Sequence, residues 1–242
     1  VKHAYIAQID GKKGDDVRID WGYFYLAAGN DRQASMKLGE YHTVKSEFNE
    51  SGALSATNGN VSQNMQEEMP VLAYSRNLGK VDASSSNGYL MIGYDDLYSI
   101  QYFNENLMPY WKRNGKVDIY QAFEKAAGNY VSVMHRCGDF DKQLMEQATK
   151  DGGEMYAELC ALSSRQAIAA HKLVESKDGE LLFLSKENFS NGSIGTVDVT
   201  YPSAPLFLVY NPDLLKGMLN PIFYFSESGK WNKPFAAHDV GA

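Results

Sequence analysis

The spacing of apolar residues changes character once along this chain. Up to about residue 93 apolar and polar positions alternate, and beyond it they recur at intervals of three and four. Val17, Ile19, Trp21, Tyr23 and Tyr25 alternate with Arg18, Asp20, Gly22 and Phe24, the period of a half-buried strand. His3, Tyr5 and Ala7 alternate likewise, and GKKGDD (11–16) has the turn chemistry to join the two as a hairpin. Tyr41 to Phe48, Val71 to Arg76 and Tyr89 to Tyr94 are further expected strands, with a polar, turn-rich stretch over 50–64.

From Asp95 the pattern predicts helices. Tyr98, Tyr102 and Phe103 lead into Leu107, Tyr110 and Trp111, with a kink expected at Pro109. Asp118 and Gln121 have capping-box spacing, and Tyr120, Phe123, Ala127, Tyr130, Met134 and Cys137 mark one apolar face that Gly138 should end. Phe140 to Lys150 reads as a short helix and Glu154 to Glu175 as the best-patterned one, with His171 on its apolar face as a core histidine. Leu181 to Leu184 is a short strand. Ser203 reads as an N-cap with Pro205 in the first turn. Asn211 caps a last helix that opens on Pro212 and Asp213, is interrupted at Pro221 and stops at Gly229. About six helices with short connectors imply antiparallel hairpins.

Composition narrows the function classes. The chain has 242 residues, enough for one large domain or two modest ones, with 44% hydrophobic and 22% charged residues, ordinary for a globular protein. It has no run of ~18 apolar residues, so no membrane-spanning segment is expected. The net charge of −7 comes with no basic cluster, which leaves nucleic-acid binding without a footprint. Cys137 and Cys160 read as buried free thiols, or as a disulfide between neighbouring helices if their Cα atoms come within ~7 Å. Both ends look cut, as in a processed chain or a fragment of a longer one.

The candidate chemistry gathers on residues 185–213, a polar Gly-rich loop that runs into two closely spaced helix starts, where free N–H groups favour carboxylates and amides. Glu187 is a candidate acid or base that Lys186 would hold ionised, and Asn188 a polar ligand. Asp198, between Val197 and Val199, sits on an expected strand end. His238 is a candidate proton shuttle and Asp239 a group that orients water or substrate, the two pointing in different directions as sequence neighbours. Asp95 and Asp96, at the sheet-to-helix junction, could bind substrate, ligate a cation or cap the next helix. There is no HExxH, CxxC, GxSxG, SxxK, P-loop or GxGxxG, so no metal, nucleotide or other cofactor is expected. Amide hydrolysis needs an activated water, oxyanion donors and an acid for the leaving ammonia; glycoside hydrolysis needs two carboxylates at a set separation. These residues can supply either.

Four stretches carry a resemblance: GYDDLYSIQYFNENLMPYWKR (93–113), SRQAIAAHKLV (164–174), SKENFSNGSIGTVDVTYPSAPLFLVYNPD (185–213) and LLKGMLNPIFYFSESGKWNKPFAAHDVG (214–241). Together they resemble the glutaminase A family, densely from about residue 90 onward. The resemblance implies an N-terminal β-sandwich portion (1–93) followed by a helical-hairpin domain (94–242), the first part of an (α/α)6 toroid of the six-hairpin-glycosidase type. It implies hydrolysis of L-glutamine to L-glutamate and ammonia by an exported protein (secreted, periplasmic or at the cell surface), with a small-molecule substrate and the remainder of the same polypeptide as partners. The catalytic set expected is Glu187, Asp198, His238 and Asp239, with Asp95, Asp96, Lys186 and Asn188 binding substrate. A six-hairpin glycoside hydrolase using two carboxylates, or a non-catalytic surface module, is the alternative.

Overall fold

The computed structural model of the chain describes residues 2–6, 22–55, 58–59, 69–82, 88–186 and 192–241. The described residues form small antiparallel sheets and six α-helices, divided between two compact units. The first unit takes the described part of the chain up to Leu97 together with Ile119–Phe123. The second takes Tyr98–Asp118 and the chain from Glu124 onward.

In the first unit β1 (Lys2–Ile6), β2 (Gly22–Ala28) and β5 (Leu90–Asp95) form one sheet in the order β1-β2-β5. Tyr5 lies opposite Tyr23, as the expected hairpin requires, while the GKKGDD turn lies outside the described residues. Tyr25 lies opposite Gly93, and this pair seats the start of α2 (Ile119–Gly128). A Cβ on Gly93 would come within 2.5 Å of Phe123 Cζ, so only glycine lets that ring lie on the strand. Tyr25 completes the contact with edge-on packing against Phe123 and Tyr120, at 6.3 and 6.1 Å between ring centroids.

A second sheet pairs β3 (Ala34–Glu40) with β4 (Pro70–Arg76). Between them Tyr41–Ser51 is a helix, α1, and the expected strand over Tyr41 to Phe48 is corrected. Tyr41, Val44 and Phe48 are spaced for one helix face. The Glu40 carboxylate fixes the start by accepting from the N–H groups of His42 and Thr43 at 2.8 and 2.7 Å. Gly52, at φ 68°, ends the helix in the left-handed conformation.

Lys37 is buried beneath α1, paired with Glu47 and donating to Ser55 Oγ at 2.8 Å. The hydrogen bond from Lys37, helped by the Ser55 N–H, lowers the Glu47 carboxyl from 4.5 to about 2. A carboxyl depressed on folding contributes stability in full above pH 4.5 and loses it as pH falls towards 2. Acid titrations of the native chain and Glu47→Gln should therefore show a stability gap that is constant near neutrality and closes across that window. A gap independent of pH would rule out this pairing.

The second unit opens with a hairpin of β6 (Ile100–Tyr102) and β7 (Glu105–Leu107), where a kinked helix over Tyr98 to Trp111 is expected from sequence. Phe103 and Asn104 turn the chain with φ of 47° and 68°, positive at both central positions as in a type I′ turn. Ile100, Tyr102 and Leu107 are buried on one side, a strand pattern inside an apparently helical run. A single 3-10 turn, Tyr110–Lys112, follows Pro109. Gly138 does not stop a helix: α2 ends at Gly128, and α3 runs unbroken from Tyr130 to Gly152.

Gly153 (φ 84°) then turns the chain into α4 (Glu154–Ala169), packed along α3 as a hairpin. The expected helix to Glu175 ends early, because His171–Glu175 pairs as β8 with β9 (Leu181–Ser185). Five residues fit either period, and the partner strand decides. His171 is a core histidine, but on a strand. Its ring stacks on Phe183 at 4.5 Å, Nδ1 contacts the Ala167 carbonyl at 2.6 Å, and burial lowers its pKa.

Helices α5 (Val197–Tyr210) and α6 (Pro212–Glu227) complete the unit. Asn211 and Pro212 open α6 as expected, and Pro221 lies inside it without ending it. Ser203 is not a cap. It lies within α5 and donates to the Val199 carbonyl at 2.7 Å, with Pro205 also inside the helix. Helix α6 lies close on β9, since a Cβ on Gly217 would meet Phe183 N at 3.1 Å and Leu181 O at 3.2 Å. The core beneath is Ile100, Leu107, Val174, Leu182, Leu184, Ile194 and Val240. Both cysteines are free; Cys137 is exposed and Cys160 partly so, which corrects the expectation of buried thiols.

Candidate active site

Strand β9 delivers the chain to the polar loop. Lys186 continues past it, its N–H bonded to the Ala170 carbonyl at 2.9 Å and its ammonium to the Gly192 carbonyl at 3.0 Å. Glu187 and Asn188 lie outside the described residues. Beyond Gly192 the chain is drawn back to β9: Gly195 N–H donates to Ser185 O at 2.9 Å and Thr196 N–H to Ser185 Oγ at 3.1 Å.

A strap from the end of the chain crosses this neck. Ile194 N–H donates to Gly241 O and Val240 N–H to Ile194 O, both at 3.0 Å, and Val197 N–H donates to His238 O at 2.8 Å. Val240 and Ala237 anchor the strap by burial. Gly195 sits at φ 58°, and a Cβ there would meet Val240 Cγ2 at 3.0 Å and Leu184 Cδ2 at 3.1 Å, so the crossing requires glycine.

The strap brings together three of the four expected catalytic residues. Asp198 lies in the first turn of α5, not on a strand end, near the positive end of the helix. His238 lies between Asp198 and Asp239. Its Nδ1 hydrogen-bonds Asp239 Oδ2 at 3.0 Å, and its Nε2 is 3.7 Å from Asp198 Oδ2, a charge contact rather than a hydrogen bond. The expectation that His238 and Asp239 point apart is thus corrected. The other Asp239 oxygen accepts from Gly241 N–H at 2.9 Å and turns the carboxylate back onto the ring. The hydrogen bond to Asp239, aided by the Asp198 charge, raises the His238 pKa above 6.5. Replacing Asp239 by Asn should lower the NMR-observed titration midpoint of His238; a midpoint that stays put would show that the bond does not tune it.

Asp95 and Asp96 belong to the first unit, both buried. Asp95 shapes the bend after β5 by accepting from Leu97 N–H at 3.1 Å. The next element along the chain is strand β6, so neither carboxylate caps a helix there.

Sequence reasoning did not find the cleft beside Asp198. A cavity of about 840 Å³ runs between the α3–α4 hairpin and α5, with Asp151, Tyr156, Ser164 and Asp198 among its lining residues. The signal was present in Tyr156, Cys160 and Ala167, spaced as one face of α4, but that face read as core. A hydrogen bond with the Cys160 thiol raises the Tyr156 phenol above its ordinary pKa of 10, so it stays protonated. The arrangement offers a proton donor, a carboxylate for water and an adjoining cleft. Among the described residues no cluster of His, Cys, Asp and Glu could hold a metal ion.

Paired helices that follow a sheet-bearing unit, with an acid–histidine cluster at a helix start, define a helical-hairpin protein, and sequence comparison agrees. The glutaminase A six helical-hairpin domain matches residues 153–242, and a domain of unknown function, DUF5127, matches 7–147. Glutaminase A of Aspergillus oryzae is 30% identical over 228 residues, covering 93% of this chain and 33% of that protein. A protein of Arthroderma benhamiae named "Probable glutaminase" is 27% identical over 236 residues, covering 93% of this chain and 27% of that protein. The chain therefore spans about a third of the length of the first of these curated relatives and about a quarter of the second. No solved structure matches it. The chain belongs to the glutaminase A family.

Proposed function

We propose that this chain carries part of a glutaminase-like amidohydrolase site that converts L-glutamine to L-glutamate and ammonia. The observation that carries the reading is the Asp198–His238–Asp239 cluster, in a chain whose relatives bear the glutaminase name. The Asp198 carboxylate takes the proton of the attacking water. The His238 imidazolium, its pKa raised above 6.5 by Asp239 and Asp198, gives its proton to the leaving ammonia. Asp239 holds the ring in place. Lys186, with its ammonium bonded to the Gly192 carbonyl, suits the substrate α-carboxylate, and Glu187 and Asn188, which follow it in the sequence, are kept as a candidate further acid and amide ligand.

The proposal extends to the architecture. The sheets of the first unit belong to a β-sandwich, and the α3–α4 and α5–α6 hairpins belong to an (α/α)6 toroid that the rest of the polypeptide completes, in an exported protein. Supporting this, Met155 of α4 is 87% exposed and Tyr201 of α5 82%, with Leu159, Leu162 and Leu208 exposed beside them, more apolar surface than paired helices leave uncovered.

The test is ammonia release from L-glutamine by the complete polypeptide, run beside a panel of aryl glycosides. Asp198→Asn should lower ammonia release by at least ~100-fold. Glycoside cleavage without ammonia would overturn the reading.

A further inference from the structure

A histidine with no part in the chemistry above sits where the loop neck is tied down. His171 is buried at one end of β8, opposite Ser185 in the β8–β9 register. The neck is tied at that end. Ala170 O accepts from Lys186 N–H and Ser185 O from Gly195 N–H, both at 2.9 Å, and Ser185 Oγ accepts from Thr196 N–H at 3.1 Å. Helix α5 leans on the same pair twice. Its start hangs from Ser185 through Thr196, and further along Phe207 packs edge-on against the His171 ring at 5.6 Å.

The pocket suits only a neutral ring. Nδ1 lies 2.6 Å from Ala167 O, and a carbonyl only accepts, so Nδ1 carries the proton of the neutral tautomer. Nε2 is then a bare lone pair, buried and without a hydrogen-bond partner among the described residues. A proton there makes an N–H with no acceptor, and a cation between Phe183, stacked at 4.5 Å, and Phe207. The attraction of a cation for an aromatic face is smaller than the cost of leaving water for such a pocket. The elements packed on the ring meet it with uncharged groups, Ala167 of α4, Phe183 of β9 and Phe207 of α5. Their charges lie elsewhere: Arg165 of α4 is exposed, Lys186 beyond β9 bonds Gly192 O, and Asp198 of α5 is exposed beside His238. On β8 itself Lys172 alternates to the other face and Glu175 pairs with Arg113.

We propose that His171 is an acid-sensitive latch: protonation of Nε2 drives the ring from its pocket and releases the neck, with the start of α5 that carries Asp198, from the β8–β9 hairpin. Burial holds the pKa of the seated ring below 6.5, whereas a released ring titrates near that value. The penalty is therefore absent above pH 6.5, grows as pH falls below it, and levels off once the seated ring also protonates. His238 works in the opposite sense. Its pKa is raised, so its tie to Asp239 is strongest at acid pH.

The experiment is hydrogen exchange by mass spectrometry on the complete polypeptide from pH 8 to pH 5, corrected for the intrinsic effect of pH on exchange. This range lies above the window in which Glu47 titrates. Protection of residues 193–200 should be constant down to about pH 7 and then fall by up to about tenfold per pH unit below 6.5, while β3 and β4 keep theirs. His171→Phe keeps a ring on Phe183 and cannot titrate, so its protection should not change with pH. A misfit that lowers protection at every pH leaves that slope readable. Flat protection in the native chain, or the native slope in His171→Phe, would overturn the latch. Catalysis enters neither arm, so the amidohydrolase reading stands or falls separately.

Discussion

Asparagine at position 238 is expected to lower ammonia release from L-glutamine by about 10²–10⁴-fold with little change in KM. The amide of asparagine can still reach the Asp239 carboxylate, so the strap keeps its shape, but it has no proton to give at neutral pH. His238 is exposed and fixed through its backbone carbonyl, which accepts from Val197 N–H, so the fold should survive the change. The pH profile separates a chemical role from a structural one. Asp239 raises the His238 pKa above 6.5, so the imidazolium persists to higher pH than an ordinary histidine, and kcat should fall as pH rises through that midpoint. In His238→Asn that limb should vanish. A variant that keeps its full rate, or one that loses rate with the limb intact, would remove His238 from the chemistry.

Legibility in the sequence depends on distance along the chain. Strands β2, β4, β5 and β9 carry their period within a few residues and can be read directly. The Asn211–Pro212 start of α6 is equally local. Segments whose spacing fits both periods mislead. Tyr41, Val44 and Phe48 need Glu40 as a cap to become helix, and His171 to Glu175 needs Leu181–Ser185 as a partner to become strand. The β6–β7 turn is hidden because Phe103 and Asn104 adopt positive φ without a glycine to announce it. At the site, Asp198, His238 and Asp239 are legible as residue types. Their meeting is not, because it depends on Ile194 pairing with the Val240–Gly241 strap, a long-range contact with no local pattern. The cleft is illegible for the same reason: it exists only once α5 lies beside the α3–α4 hairpin.

That long-range contact rests on the core, and Leu184→Ala is the substitution that tests it. Leu184 has no exposed surface and faces the strap crossing, its Cδ2 lying 3.1 Å from where a Cβ on Gly195 would sit, with Val240 Cγ2 at 3.0 Å from the same point. Truncating a fully buried leucine costs ~2–5 kcal/mol, the spread reflecting how far the site collapses into the space left. Here β9 is held between β8 and α6, so the cavity should persist and the cost should lie in the upper half of that range. At roughly 2–4 °C per kcal/mol for a chain of this size, the thermal midpoint should fall by about 7–20 °C. Hydrogen exchange then separates local from global loss. If Leu184 supports the strap, the Val240 and Ile194 amides should gain exchange rate more than those of β3 and β4, which belong to the first unit. A midpoint shift under ~2 °C, or uniform acceleration, would mean that the strap is held by its backbone hydrogen bonds alone. The placement of His238 against Asp198 would then owe nothing to the apolar core beneath it.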